Sequence, residues 1–172
     1  MQSQTLDLLA LSETRLDNTF TDSAVSIDAV TGAEVVVVLP CMYVRNVIDF
    51  KIRPDLSDPD LEFLCTEIQK PRAKPFLISN WYRPPNSPIE LFDKFEVLLA
   101  KIEAENVESN IIGDINCDMM AVTPANETRH LIELCEFTKS LIDLFLTNEP
   151  VKFATSGVSP IGCSDHSLIY VS

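Results

Sequence analysis

The sequence predicts one α/β (α+β) sandwich of β-sheets and helices. Three observations carry this. Short β-branched, apolar runs alternate with two stretches of helical periodicity; 46% of the 172 residues are hydrophobic; and the chain has neither an internal repeat nor a flexible linker. Strand and helix patterns that alternate in this way pack as sheets covered by helices, not as a bundle or a solenoid. A chain of this length falls in the range of a single domain with a real core.

The elements follow in order. Leu6 to Leu11 reads as a buried strand that ends at Ser12-Glu13-Thr14, and the polar stretch from Arg15 to Asp28 reads as loop. Val35 to Val44 is apolar and β-branched, with Pro40 inside it demanding an edge, a bulge or a break. Leu61 to Ile68 and Pro75 to Tyr82 read as two strands joined by the hairpin-like Gln69-Lys70-Pro71-Arg72. Ser87-Pro88-Ile89-Glu90 is a helix start with the pattern of a capping box, and the helix should run to about Ala104. Ile89, Phe92, Phe95, Leu98, Leu99 and Ile102 recur at helical spacing, which makes them core contacts. Asn110 to Ile112 is a short strand that delivers Gly113-Asp114-Ile115-Asn116 to a loop. Asn126 to Phe137 reads as a second helix, and Leu141 to Thr147 as a buried strand after the short join Thr138-Lys139-Ser140.

Composition narrows the function classes. The longest apolar run, Val35 to Pro40, is too short to cross a bilayer, and the first residues lack the basic flank of a signal peptide, so an intracellular protein without a membrane anchor is expected. The five cysteines are scattered, with no C-x-x-C pair and an odd total, which points to buried thiols and not to a zinc cage or a disulfide framework. A formal charge of −13 argues against a purely electrostatic nucleic-acid binder, which needs Lys and Arg to displace counterions from phosphate. A metal enzyme escapes that constraint, because a carboxylate-bound cation itself supplies positive charge.

The polar residues of interest are Glu13, Tyr82, Asp114, Asn116, Asp143, Asp165 and His166, most of them where a strand gives way to a loop. A rigid sheet aims such side chains into a shared cleft. Each also has a plainer reading. Glu13 is a polar strand end, Tyr82 a half-buried aromatic before a Pro-Pro turn, and Asp114 with Asn116 a pair of turn formers. Asp143 inside an apolar strand is harder to dismiss, since a buried carboxylate needs a partner.

Five segments, taken in order, resemble the endonuclease/exonuclease/phosphatase superfamily: Leu11-Ser12-Glu13-Thr14, Trp81-Tyr82-Arg83-Pro84-Pro85, Gly113-Asp114-Ile115-Asn116, Leu141 to Thr147, and Ser164-Asp165-His166-Ser167. The wording of Tyr82 to Ser87 and of Leu146-Thr147-Asn148 is most similar to the endonuclease domain of animal non-LTR retrotransposons. The resemblance implies a four-layer αββα sandwich, two mixed β-sheets face to face with helices outside, and a metal site at one end. It implies that Glu13 binds Mg²⁺, with Mn²⁺ as a substitute, and that Asp165 assists nearby. Asp114 would orient or deprotonate the attacking water. Asn116 and Tyr82 would contact the phosphate or its developing charge, and His166 would contact the scissile phosphate with Asp143 fixing its tautomer. The implied reaction is Mg²⁺-dependent nicking of DNA, in the nucleus, by a domain of the reverse transcriptase-associated kind. Two alternatives stand beside it: a phosphatase or phosphodiesterase acting on a small or lipid phosphoester, and a non-catalytic interaction module on the same fold.

The chain departs from the family in several places. Relatives have an earlier strand bearing an asparagine before the segment matching Leu6 to Leu11, and a glycine-rich turn where Gly32 to Val44 carries valines and Pro40. They place a longer segment, with a Thr-bearing strand, where only Thr138-Lys139-Ser140 stands, so Thr138 does not inherit that role. Little chain follows His166 before Ser172, leaving scant room for a strand that returns to the sheet. Residues 1–172 are therefore expected to form one such domain, incomplete, truncated at both ends and shortened internally, as a decayed copy would be.

Overall fold

The computed structural model of the chain describes residues 7–11, 33–36, 41–117, 123, 125–134, 143–160 and 167–172. Ten strands and two α-helices are assigned among them: β1 (Leu8–Leu11), β2 (Ala33–Val36), β3 (Cys41–Arg45), β4 (Phe50–Ile52), β5 (Glu62–Ile68), β6 (Phe76–Tyr82), α1 (Glu90–Ala104), β7 (Glu108–Asp114), α2 (Asn126–Leu134), β8 (Asp143–Thr147), β9 (Ser156–Pro160) and β10 (Ser167–Val171).

Strands β4-β5-β6-β7-β8 form a five-stranded mixed sheet, in which β6 and β7 run parallel and the other neighbours antiparallel. The parallel pair is joined by α1, since two parallel strands require a crossover. Strands β1-β3-β2 form a separate antiparallel sheet, and β9 and β10 pair as a hairpin.

Alternation along the central strands divides the core in two. On one face Phe63, Cys65, Leu77, Trp81 and Ile111 pack with Phe92, Phe95, Leu98 and Ile102 of α1 and Leu131 of α2. On the other face Leu64, Ile68 and Ile78 pack with Met42 and Val44 of β3, with Leu8 and Ile112 at the margin. Helices, five-stranded sheet and small sheet are thus successive layers. Both faces of β3 are covered, because Cys41 and Tyr43, at the alternate positions, are also buried. With both faces of its central strands buried, the large sheet has the near-continuous apolar runs that the sequence displays. Trp81 stacks on Phe95, ring centroids 3.8 Å apart, and meets the edge of Phe92 at 5.8 Å. Burying each such side chain is worth about 1.5–3 kcal/mol.

Several expectations change on contact with the fold. The apolar stretch read from Val35 to Val44 falls in two strands, β2 and β3, paired antiparallel, and Pro40 lies outside the described residues. The capping box at Ser87 does not form. The Ser87 hydroxyl donates to the Pro84 carbonyl at 2.6 Å, closing the Pro-Pro turn, and α1 begins at Glu90 without a side-chain cap. Ile89, expected in the core, precedes the first helical turn and is 38% exposed. Strands β4, β9 and β10 were not expected. A strand does follow His166: β10 starts at the next residue and pairs with β9 from Ser167↔Pro160 to Val171↔Ser156, in a two-stranded sheet apart from the five-stranded one. The ends expected for the second helix and the start of the strand at Leu141 lie outside the described residues.

Candidate active site

Strand β7 delivers Asp114 to one end of the large sheet. At the preceding Gly113, φ is +151°, and a Cβ there would stand 1.8 Å from the Trp81 carbonyl oxygen. Strands β6 and β7 approach so closely at this point that only glycine fits. Past the pinch the parallel pairing resumes, with the Arg83 N–H donating to the Asp114 carbonyl at 2.9 Å.

The chain then turns back on itself through Asn116, whose φ of 50° is in the left-handed region that asparagine tolerates. Asn116 donates its backbone N–H to Asp114 Oδ1 at 2.9 Å. Its side-chain amide donates to Asp114 Oδ2 at 3.3 Å and to the Arg83 carbonyl at 2.9 Å. Asp114 is 3% exposed. The two amide donors set the direction of a nearly buried carboxylate, so a turn former and an oriented acidic group are the same piece of structure.

Two other expected residues can be placed. Tyr82 is the last residue of β6, half-buried, beside the Pro84-Pro85 turn and opposite Glu62 of β5. Asp143 is the first residue of β8, and the antiparallel register sets it opposite Asp114. Tyr82, Asp114, Asn116 and Asp143 thus come from the same end of the sheet. Glu13, Asp165 and His166 lie outside the described residues, Glu13 two positions past the end of β1 and His166 one position before β10. Among the described residues, no three His, Cys, Asp or Glu side chains are grouped to hold a metal ion.

Two buried polar residues at this end were given no role from the sequence. Asn80, fully buried on β6, donates from Nδ2 to the Leu11 carbonyl at 3.1 Å and to the Cys41 carbonyl at 3.0 Å. It thereby ties the large sheet to the end of β1, just before Glu13 in the chain. The sequence signal was an amide inside the apolar run Phe76 to Tyr82, since a buried polar group requires partners. Arg83, 2% exposed, donates to the Ile115 carbonyl at 3.3 Å and to the Ser87 carbonyl at 2.8 Å.

The opposite end of the sheet holds an open groove of about 380 Å³, lined by Lys70, Lys74, Glu103, Glu108, Glu149 and Lys152 among others. Its charges answer one another: Lys152 and Lys70 both pair with Glu108, at 3.0 and 3.7 Å. Burial raises the pKa of Glu108, but hydrogen bonds from Lys152 and Asn110 and the charge of Lys70 outweigh it, so the carboxyl is held below the usual range. Such a balanced surface offers no excess positive charge to a phosphate.

The fold matches that of known proteins. The endonuclease domain of TRAS1, a telomere-specific non-LTR retrotransposon, superposes with a TM-score of 0.58 over 75% of this chain and 69% of that one, at 17% identity. An endonuclease/exonuclease/phosphatase family protein from Bacteroides thetaiotaomicron superposes with a TM-score of 0.50 over 83% of this chain and 75% of that one, at 14% identity. No protein-family model and no curated protein matches the sequence. The chain therefore has the sandwich fold of the endonuclease/exonuclease/phosphatase proteins, the fold that its five motifs imply.

Proposed function

We propose that the chain is a metal-dependent phosphodiesterase domain of the DNA-nicking, retrotransposon type. The observation that carries this reading is the common end of the sheet reached by Tyr82, Asp114, Asn116 and Asp143, with Asp114 oriented by two amide donors from Asn116. TRAS1, similar in fold, supplies an endonuclease precedent, and its retrotransposon origin suits DNA as substrate and the nucleus as the place of action.

In this reading Asp114 accepts a hydrogen bond from the attacking water and sets its line of approach. Asn116 and Tyr82 stabilise charge on the phosphoryl oxygens, the amide doing so without adding negative charge. His166 contacts the scissile phosphate and Asp143 fixes its tautomer. Glu13 and Asp165 would hold Mg²⁺, or Mn²⁺ in its place, because such hard cations take oxygen ligands. That Asp114 is already engaged by Asn116 fits an orienting role for it. When bound, the cation would offset the charge of the phosphate, which a chain of net charge −13 does not do itself.

The test is conversion of supercoiled plasmid to nicked circles with Mg²⁺, beside Glu13→Ala and His166→Ala. Nicking lost in both variants is expected. Folded protein that leaves both plasmid and small or lipid phosphoesters intact would overturn the reading and leave a decayed, non-catalytic module. That second reading has one observation in its favour, the acidic balance of the chain.

A further inference from the structure

A buried guanidinium is an expensive group to fold unless something needs it. The side chain of Arg83 is enclosed against the ring of Phe92, with Cζ 4.9 Å from the ring centroid, at the start of α1. Desolvating a cation is unfavourable, and the carbonyls and ring around it offset that only if their geometry is kept.

What Arg83 touches is more informative than its burial. Its backbone N–H donates to the Asp114 carbonyl, its Nη1 to the Ile115 carbonyl, and its own carbonyl accepts from the Asn116 side chain, at 2.9, 3.3 and 2.9 Å. Asp114, Ile115 and Asn116 are thus each fastened to this one residue. Its Nη2 holds the Ser87 carbonyl, fixing the Pro84-to-Ser87 turn that follows Tyr82, and that turn is closed from the other side by the Ser87 hydroxyl on the Pro84 carbonyl. The two donors used, on separate nitrogens of a planar fork, reach carbonyls from two different loops. A lysine ammonium at the end of a flexible stem cannot span both from one position.

We propose that Arg83 is the positioning residue of the candidate site: it fixes the loop bearing Asp114 and Asn116 relative to the turn beside Tyr82. It touches no reacting atom, and it acts by keeping the oriented carboxylate in register with the phosphate contacts. This inference rests on the phosphodiesterase reading for its catalytic consequence, but not for its structural one. Displacing catalytic groups by about 1 Å is enough to lower a rate by about 100-fold. The loss belongs in kcat, because the groups that are moved act on the transition state and not on ground-state binding.

The test compares wild type with Arg83→Lys, which keeps the cation over Phe92 and loses the two-loop bridge, and with Arg83→Met, which loses both. Two readouts are taken: plasmid nicking resolved into kcat and KM, and amide hydrogen exchange in the 114–116 loop and in β5. The expected result for Arg83→Lys is kcat reduced by about 10- to 100-fold with KM little changed. The Asn116 amide should exchange faster while the β5 amides stay protected. If Arg83→Met fails to fold, Arg83→Lys alone carries the comparison. Unchanged kcat and unchanged Asn116 exchange in folded Arg83→Lys would overturn the proposal, as would equal loss of protection in β5, which marks a general stability effect. If wild type nicks nothing, the phosphodiesterase reading falls, and the exchange result still decides whether Arg83 fixes the loop.

Discussion

Asn116 donates its backbone N–H to one carboxylate oxygen of Asp114 and its side-chain amide to the other, at 2.9 and 3.3 Å. The two functions of this asparagine can be separated. Asn116→Gly keeps a residue at ease with a φ of 50° but removes the side-chain amide, whereas Asn116→Ala also strains the backbone by about 1 kcal/mol. In the phosphodiesterase reading both variants lose nicking by about 100-fold or more. Both variants should lose stability in urea along with the side-chain bonds to the Arg83 carbonyl and Asp114, and kcat should fall alike in both, so parallel denaturation and initial-rate measurements check the assignment.

Gly113→Ala should be strongly damaging for a single added methyl. The added carbon would meet the Trp81 carbonyl oxygen at 1.8 Å, and that oxygen is backbone and has no rotamer to escape into. The expected destabilisation exceeds about 2 kcal/mol, with β6 and β7 forced apart. Trp81 is the only tryptophan and is buried, so its fluorescence reports the unfolding transition directly.

Asn80→Ala should loosen the two sheets from each other. The substitution strips the Leu11 and Cys41 carbonyls of their shared donor in the space between the sheets. A buried polar group left without a partner costs about 1–3 kcal/mol, so a loss of about 2–4 kcal/mol is expected by urea denaturation. Asn80→Asp should be worse, since it sets a carboxylate against two carbonyl oxygens.

Stability should fall on acidification for reasons that can be located. The carboxyl of Asp55 is held low by hydrogen bonds from Arg53, and that of Glu108 is held low chiefly by Lys152 despite its burial. A depressed folded pKa gives stability that is fully present above the unfolded value and is lost as pH falls through the folded one. The thermal midpoint should therefore drop below about pH 4. Lys152→Met should flatten that acid limb by removing the hydrogen-bond partner of Glu108. Glu62 shifts in the opposite sense, its carboxyl raised by partial desolvation on β5, but its side chain is exposed and adds little to the pH dependence.

Much of the fold was legible because the central strands are covered on both faces. Leu61 to Ile68 and Pro75 to Tyr82 read as strands from unbroken apolar content, and the observed β5 and β6 differ from those spans only by a residue at the start. Helix α1 was legible from Phe92, Phe95, Leu98 and Ile102, whose spacing is a consequence of one buried stripe. Strand β9 escaped notice because Ser156-Gly157-Val158-Ser159-Pro160 has little apolar patterning. Its pairing with β10 is settled between backbones. The failed capping box has a similar origin: Ser87 could accept from a backbone N–H at the helix start or donate to the turn before it, and its hydroxyl donates to the Pro84 carbonyl.

The sequence by itself determined the class of fold, through its apolar periods and the order of its motifs, and it nominated the strand-end residues proposed above to carry chemistry. What only the tertiary structure decided is how Asp114 is held: its register opposite Asp143, the glycine pinch against Trp81, and the bonds from Asn116 and Arg83 that fasten its loop. Those relations join residues as many as 33 positions apart in the chain. Local propensity reaches only a few neighbours, and such distant pairings exist only once the strands have been brought side by side.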